Sequence, residues 1–119
     1  MAYDEGLAQR LRQALQAHRG ITEKRMFGGL AFLSRGYMFI GITGDKLMAR
    51  IGPDYYEQAL SRRHVRVMDF TGRPMKGYVF VSPPGFGKDS DLLDWVHRCH
   101  RFVQSLPSKK SKPNPAAAR

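Results

Sequence analysis

Cysteine is all but missing from this chain. Cys99 stands alone, so no intramolecular disulfide can form and no cysteine-built zinc site has a second thiolate. A reducing compartment fits that usage. Long apolar runs are missing too: the longest, Tyr37 to Ile42, falls far short of the roughly 18 residues that a membrane-spanning helix requires, so no membrane segment is expected. Met1-Ala2-Tyr3-Asp4-Glu5 has neither the basic start nor the apolar stretch of a secretory signal, and a cytoplasmic location is expected. Acids are scarce, with 10 Asp plus Glu against 20 Lys plus Arg and a formal charge of +10. Four of the cations, Lys109, Lys110, Lys112 and Arg119, fall near the C-terminus, and the remaining sixteen still exceed the acids by six. Such an excess favours acidic partners and supports salt-sensitive attraction to nucleic acid without specifying a base sequence.

Reactive groupings are absent in the same way. Pro84-Gly85-Phe86-Gly87-Lys88-Asp89-Ser90 has the look of a phosphate loop, but Ser82 stands where the Walker pattern needs its first glycine. Asp89 stands where it needs a hydroxyl, and a carboxylate there would repel phosphate. The segment reads better as a loop leading into a capped helix. His97 and His100 share a helical stretch with Cys99, but Cys99 belongs to its apolar stripe. Only two imidazoles then converge, and without a third ligand no metal site is expected. An apolar setting also withholds the Cys99 thiolate, which excludes a cysteine nucleophile. With no acid, base and nucleophile set in view, neither an enzyme nor a cofactor is expected.

What is present is a fold pattern. Asp4 can cap a helix that carries Leu7, Leu11, Ala14 and Leu15 on one stripe and that Gly20 ends. From Gly29 the period becomes two, with Leu30 and Phe32, then Met38, Ile40 and Ile42, then Leu47, Ala49 and Ile51 in three strands. Ser34-Arg35-Gly36 and Gly44-Asp45 supply tight reversals. Gly52-Pro53 stops the third strand, and Asp54 to Leu60 reads as a short helix. Val65 and Val67 then alternate with Arg66 and Met68. After a turn over Thr71 to Pro74, Tyr78 and Phe80 alternate with Val79 and Val81. A last helix, capped by Asp89 or Ser90, carries Leu92, Trp95, Val96, Cys99, Phe102, Val103 and Leu106 on one face. The order α-β-β-β-α-β-β-α predicts an α+β two-layer sandwich with an antiparallel sheet over 1–106. Residues 107–119, rich in Pro, Ser, Lys and Ala, read as a flexible basic tail.

Polar surface candidates follow from this frame. Arg62, Arg63 and Arg66 form the densest basic run of the body, and Lys46 and Arg50 would join them if the third and fourth strands packed together. With Lys109, Lys110 and Lys112 they are the candidate nucleic-acid contacts. Tyr37, Phe39, Tyr78 and Phe80 are candidates for a stacking platform. Asp69 and Arg73 can clasp the turn between the last two strands. Met26-Phe27-Gly28-Gly29 reads as a bend into the sheet, where paired glycines admit close backbone approach.

The chain resembles the TfoX/Sxy N-terminal domain family, named for bacterial regulators of natural competence, and particularly its short stand-alone members. The resemblance starts at Met1-Ala2-Tyr3-Asp4-Glu5-Gly6-Leu7 and runs through Lys24-Arg25-Met26-Phe27-Gly28-Gly29-Leu30 and Gly44-Asp45-Lys46-Leu47-Met48-Ala49-Arg50-Ile51-Gly52-Pro53. It takes in Met68 to Gly77, Asp91-Leu92-Leu93-Asp94-Trp95-Val96 and Ser105-Leu106-Pro107. It implies the same α+β arrangement and a non-enzymatic domain associated with transcriptional regulation of competence through protein partners. It transfers no catalytic residue. A protein-interaction module is the leading expectation, with Arg25, Arg50, Arg73 and Lys76 as its exposed contacts. A weakly selective nucleic-acid binder is the alternative.

Overall fold

The computed structural model describes residues 3–26, 28–70 and 73–107, with the backbone alone at Met26, Phe70, Arg73 and Pro74. The expected tail contacts Lys109, Lys110 and Lys112 lie outside the described residues.

Asp4 caps the first helix, α1 (Glu5–Ala14), accepting from the amides of Gly6 at 2.8 Å and Leu7 at 3.2 Å. The helix stops at Ala14 rather than at Gly20, whose φ of +73° instead turns the chain into the sheet. That entry strand, β1 (Ile21–Met26), is one the apolar alternation does not mark, because Thr22, Glu23, Lys24 and Arg25 are all exposed. There follow β2 (Gly29–Ser34), β3 (Tyr37–Thr43), β4 (Lys46–Arg50), α2 (Pro53–Leu60), β5 (Val65–Phe70), β6 (Arg73–Val81), a short 3₁₀ turn (Pro83–Phe86) and α3 (Asp89–Gln104). The protein is an α+β fold whose helix, strand run, helix, hairpin, helix order matches the expected one. The first run holds one strand more.

All strands pair antiparallel in one six-stranded sheet of order β1-β2-β3-β4-β6-β5. The β2–β3 reversal places Arg35 at φ +53° and Gly36 at +84°, the double positive φ of a two-residue hairpin. Gly29 is held by close approach, since a Cβ there would strike the Ile42 carbonyl of the neighbouring strand. Met38 departs from its expected face. Phe32 pairs with Ile40 but Leu33 pairs with Met38, so Phe39 is an extra residue, and the bulge sends Met38 to the opposite side from Ile40.

The main core lies between the sheet and the helices. Phe32, Ile40, Ile42, Leu47, Val79 and Val81 meet Leu7 and Leu11 of α1, Ala59 of α2, and Trp95, Val96, Cys99 and Val103 of α3. Trp95 is 1% exposed, and its indole N–H donates to the Gly85 carbonyl at 3.3 Å. Burying such a ring stabilises by roughly 1.5–3 kcal/mol. No helix among the described residues is long and apolar enough to cross a membrane.

Candidate interaction face

In an antiparallel sheet, residues paired across strands send their side chains to the same face. The registers therefore define one row across the whole sheet: Lys24, Ala31, Gly41, Met48, Phe80 and Arg66. Ala31 and Met48 belong to a second apolar cluster with Met38 and Met68, flanked by half-buried Leu33, Met75, Tyr78 and Phe80. Every one of these residues comes from a strand. No described helix residue joins them, so this is the second face of the sheet, yet Ala31, Met48 and Met68 are fully buried there and only the flanking residues are partly accessible.

Within the row, Met48 takes the space that a Gly41 side chain would claim, since a Cβ on Gly41 would lie 2.8 Å from the Met48 methyl. The row begins and ends in exposed cations and holds no acid. Lys46, two positions before Met48, adds a third cation on this side, its ammonium 3.6 Å from Asp45. Among the described residues, no ion pair or side-chain hydrogen bond engages Lys24, Arg66 or Lys76.

The arginines toward the helices are committed to structure. Arg12 holds Glu23 in two hydrogen bonds of 2.7 and 2.9 Å, which lowers the Glu23 carboxyl below its ordinary range and raises the guanidinium. Arg10 donates to the Phe86 carbonyl at 2.9 Å and to the Gly87 carbonyl at 3.3 Å, and pairs with Asp89 at 3.1 Å. That clasp explains the loop resembling a phosphate site, which here offers carbonyl oxygens to a cation. It also redirects Asp89 from the expected capping role. Lys88 stands at the start of α3, with no side-chain cap.

The expected contacts fall into separate places. Arg62 lies over the Trp95 ring at 4.4 Å and donates to the Tyr55 hydroxyl at 3.2 Å, so it serves the α2–α3 junction. Arg63 is exposed. Strand β6 separates β4 from β5, and Lys46 and Arg50 are therefore one strand removed from Arg66. Arg50 is half-buried among the rings of Tyr37, Tyr78 and Phe102 at 5.6, 5.3 and 5.5 Å. Arg25 and Lys76 are exposed, while the Arg73 side chain, and with it the Asp69 clasp, lies outside the described residues. Of the stacking candidates, Phe39 is fully buried and Tyr37 and Tyr78 carry the Arg50 guanidinium.

Two further groupings complete the polar inventory. His18, from the turn after α1, lies against His100 with centroids 4.1 Å apart and the rings tilted by 41°, and meets His97 edge-on at 5.9 Å. Sequence spacing brings only His97 and His100 together; the third imidazole arrives through the packing of α1 on α3. Among the described residues, no three His, Cys, Asp or Glu side chains are placed to hold a metal ion. Burial, then the neighbouring His18, His97 and Arg35, keep the His100 pKa below its ordinary value. Burial pushes the Cys99 thiol well above its own, leaving no thiolate. A shallow hollow of about 410 Å³ between α1 and α3, lined by Arg10, Gln13, Ala14, Asp89, Leu92 and Leu93, contains no nucleophile and base pair.

Neither a curated protein nor a solved structure gives a significant match to this chain. A family model does: the TfoX N-terminal domain matches residues 13–103, which span β1 to β6, α2 and most of α3. The chain belongs to the TfoX N-terminal domain family.

Proposed function

We propose that this protein is a non-enzymatic, cytoplasmic regulatory module of the competence-regulator kind, which acts by docking a protein partner on the helix-free face of its sheet. The row from Lys24 to Arg66 carries this reading. Its cationic ends, Lys24 and Arg66, are exposed and have no ion pair among the described residues, whereas most of the cations near the helices hold the structure together. Half-buried Leu33, Met75, Tyr78 and Phe80 supply the apolar part of that face, over the buried Met48 and Met68. The buried Cys99 and the clasped loop at Phe86–Gly87 support the non-enzymatic part of the reading.

Site-specific photocrosslinking in the source cell tests it. A crosslinker at Lys24 is expected to trap a discrete partner, and the trapping is expected to fall when Arg66→Glu is added. The same probe at Gln13 on α1 is expected to trap none. A partner captured from Gln13 and never from Lys24 would move the docking surface to the helices. Direct nucleic-acid binding through Arg63, Arg66 and the lysine-rich C-terminal residues is the competing reading, favoured only by the charge of +10. Trapped nucleic acid in place of protein would establish it.

A further inference from the structure

Where α2 meets α3, away from the sheet row, the geometry points to an anion site: Arg62 and Arg98 form a two-forked seat for a phosphate monoester, and Asp94 holds the place until that ligand arrives. Two guanidinia approach one carboxylate oxygen there, Asp94 Oδ2, from Arg62 at 3.9 Å and from Arg98 at 3.8 Å. Neither separation is a hydrogen bond. The oxygen marks where a negative charge is favoured, yet it uses none of the donors around it.

Ring stacking is what fixes the two guanidinia, with Arg62 4.4 Å from the Trp95 centroid and Arg98 3.9 Å from that of Tyr55. A stacked guanidinium gives its face to the ring and keeps its N–H edge for an oxyanion. Arg62 uses one edge donor, on the Tyr55 hydroxyl at 3.2 Å, and Arg98 makes no side-chain hydrogen bond among the described residues, its Nε being buried without a partner. The hydroxyl that accepts from Arg62 still has its own proton to give. With side-chain exposures of 36% for Arg62, 35% for Arg98 and 52% for Asp94, the cluster is open to a ligand.

Two cations facing one anion leave a positive charge that the cluster does not neutralise. A phosphate monoester, with roughly −1.5 to −2 charge at pH 7 and three acceptor oxygens, can engage both forks and the Tyr55 hydroxyl at once. A second carboxylate would only repeat Asp94. At the Phe86–Gly87 loop a carboxylate opposes phosphate because Arg10 holds Asp89 in place, but no hydrogen bond anchors the Asp94 carboxylate among the described residues. Asp94 can therefore turn to solvent as the ligand enters.

The test is isothermal titration of the full chain in phosphate-free buffer at neutral pH, with inorganic phosphate, a phosphoserine peptide, the same peptide carrying serine, and oligo(dT). Both monoester-type probes are expected to bind and the serine peptide is not. Asp94→Asn is expected to tighten binding about fivefold, because a competing charge some 4 Å away is removed. Arg98→Gln is expected to weaken it about tenfold, and Arg98→Lys, which keeps the charge and loses the fork, to weaken it as well. Thermal melts without ligand establish that each variant folds. A phosphopeptide bound about tenfold or more tightly than inorganic phosphate supports the site and names a phosphorylated polypeptide as the source, while a smaller ratio supports it with a small phosphate compound as the source. Affinity unchanged in Asp94→Asn and Arg98→Gln alike, in chains that melt as the parent does, overturns the site. Oligo(dT) binding that Arg98→Gln abolishes, with neither monoester probe bound, overturns the ligand class. No binding of phosphate or phosphopeptide at millimolar concentration overturns the inference itself.

Discussion

The two faces of this sheet share one backbone and differ in what they carry. Toward the helices, the row Glu23, Phe32, Ile40, Ala49, Val79 and Val67 is apolar over its four central positions, and its one acid is gripped by Arg12. One residue along each strand, the row from Lys24 to Arg66 is likewise apolar over its four central positions but has cations at both ends. The alternation of strand side chains makes the faces independent, so a large core forms on one while the other holds a smaller one around Ala31, Met48 and Met68. What distinguishes them is whether the charges have partners within the fold.

This contrast predicts an order of sensitivity. Trp95→Ala, in the helix-side core, is expected to lower unfolding free energy by about 3–5 kcal/mol in urea titrations, well beyond the effect of Phe80→Ala on the other face. Equal losses would erase the asymmetry. Gly52→Ala comes next. Gly52 sits at φ +86°, and a Cβ there would lie 2.5 Å from the Phe102 ring, so a loss of about 1–3 kcal/mol is expected from backbone strain and displacement of α3.

Acidification should act on the helix side as well. Because the folded His100 pKa lies below 6.5, the folded state binds fewer protons than the unfolded one. The stability linked to neutral His100 is complete above pH 6.5 and is lost as pH falls through the folded value. Thermal melts from pH 7.5 down to 5 should show this decline, and His100→Gln should flatten it. Arg12→Ala breaks an exposed pair and is expected to cost about 0.2–1 kcal/mol, measurable by chemical denaturation and smaller at high salt. Smallest is Lys24→Glu/Arg66→Glu, expected to change stability by no more than about 0.5 kcal/mol. A large loss there would mean that these cations hold the fold together.

Much of this architecture is legible in the residues. Asp4, Gly52-Pro53, the Val79 and Val81 alternation and the Leu92 to Val103 stripe each state their role locally, through capping, backbone restriction or period. Strand β1 is not legible that way, because an edge strand with exposed Thr22, Glu23, Lys24 and Arg25 carries no apolar alternation. The Phe39 bulge escapes for a related reason, since a period of two cannot reveal where a residue is inserted. The interaction face depends on strand order. Placing β6 between β4 and β5 separates Arg66 from Arg50 and aligns it with Lys24 across the sheet, and no local pattern encodes that adjacency. Arg62 looked like a member of a basic run until the tertiary structure set it on Trp95.

The sheet ends in β1 and β5, whose outward residues include Lys24, Arg25, Arg66 and Asp69. Such borders discourage a foreign strand from extending the hydrogen-bonded ladder. A partner docked on this protein would therefore be recognised through side chains and not by lengthening the sheet. The same charged borders keep neighbouring copies from zipping together when many are gathered at one place.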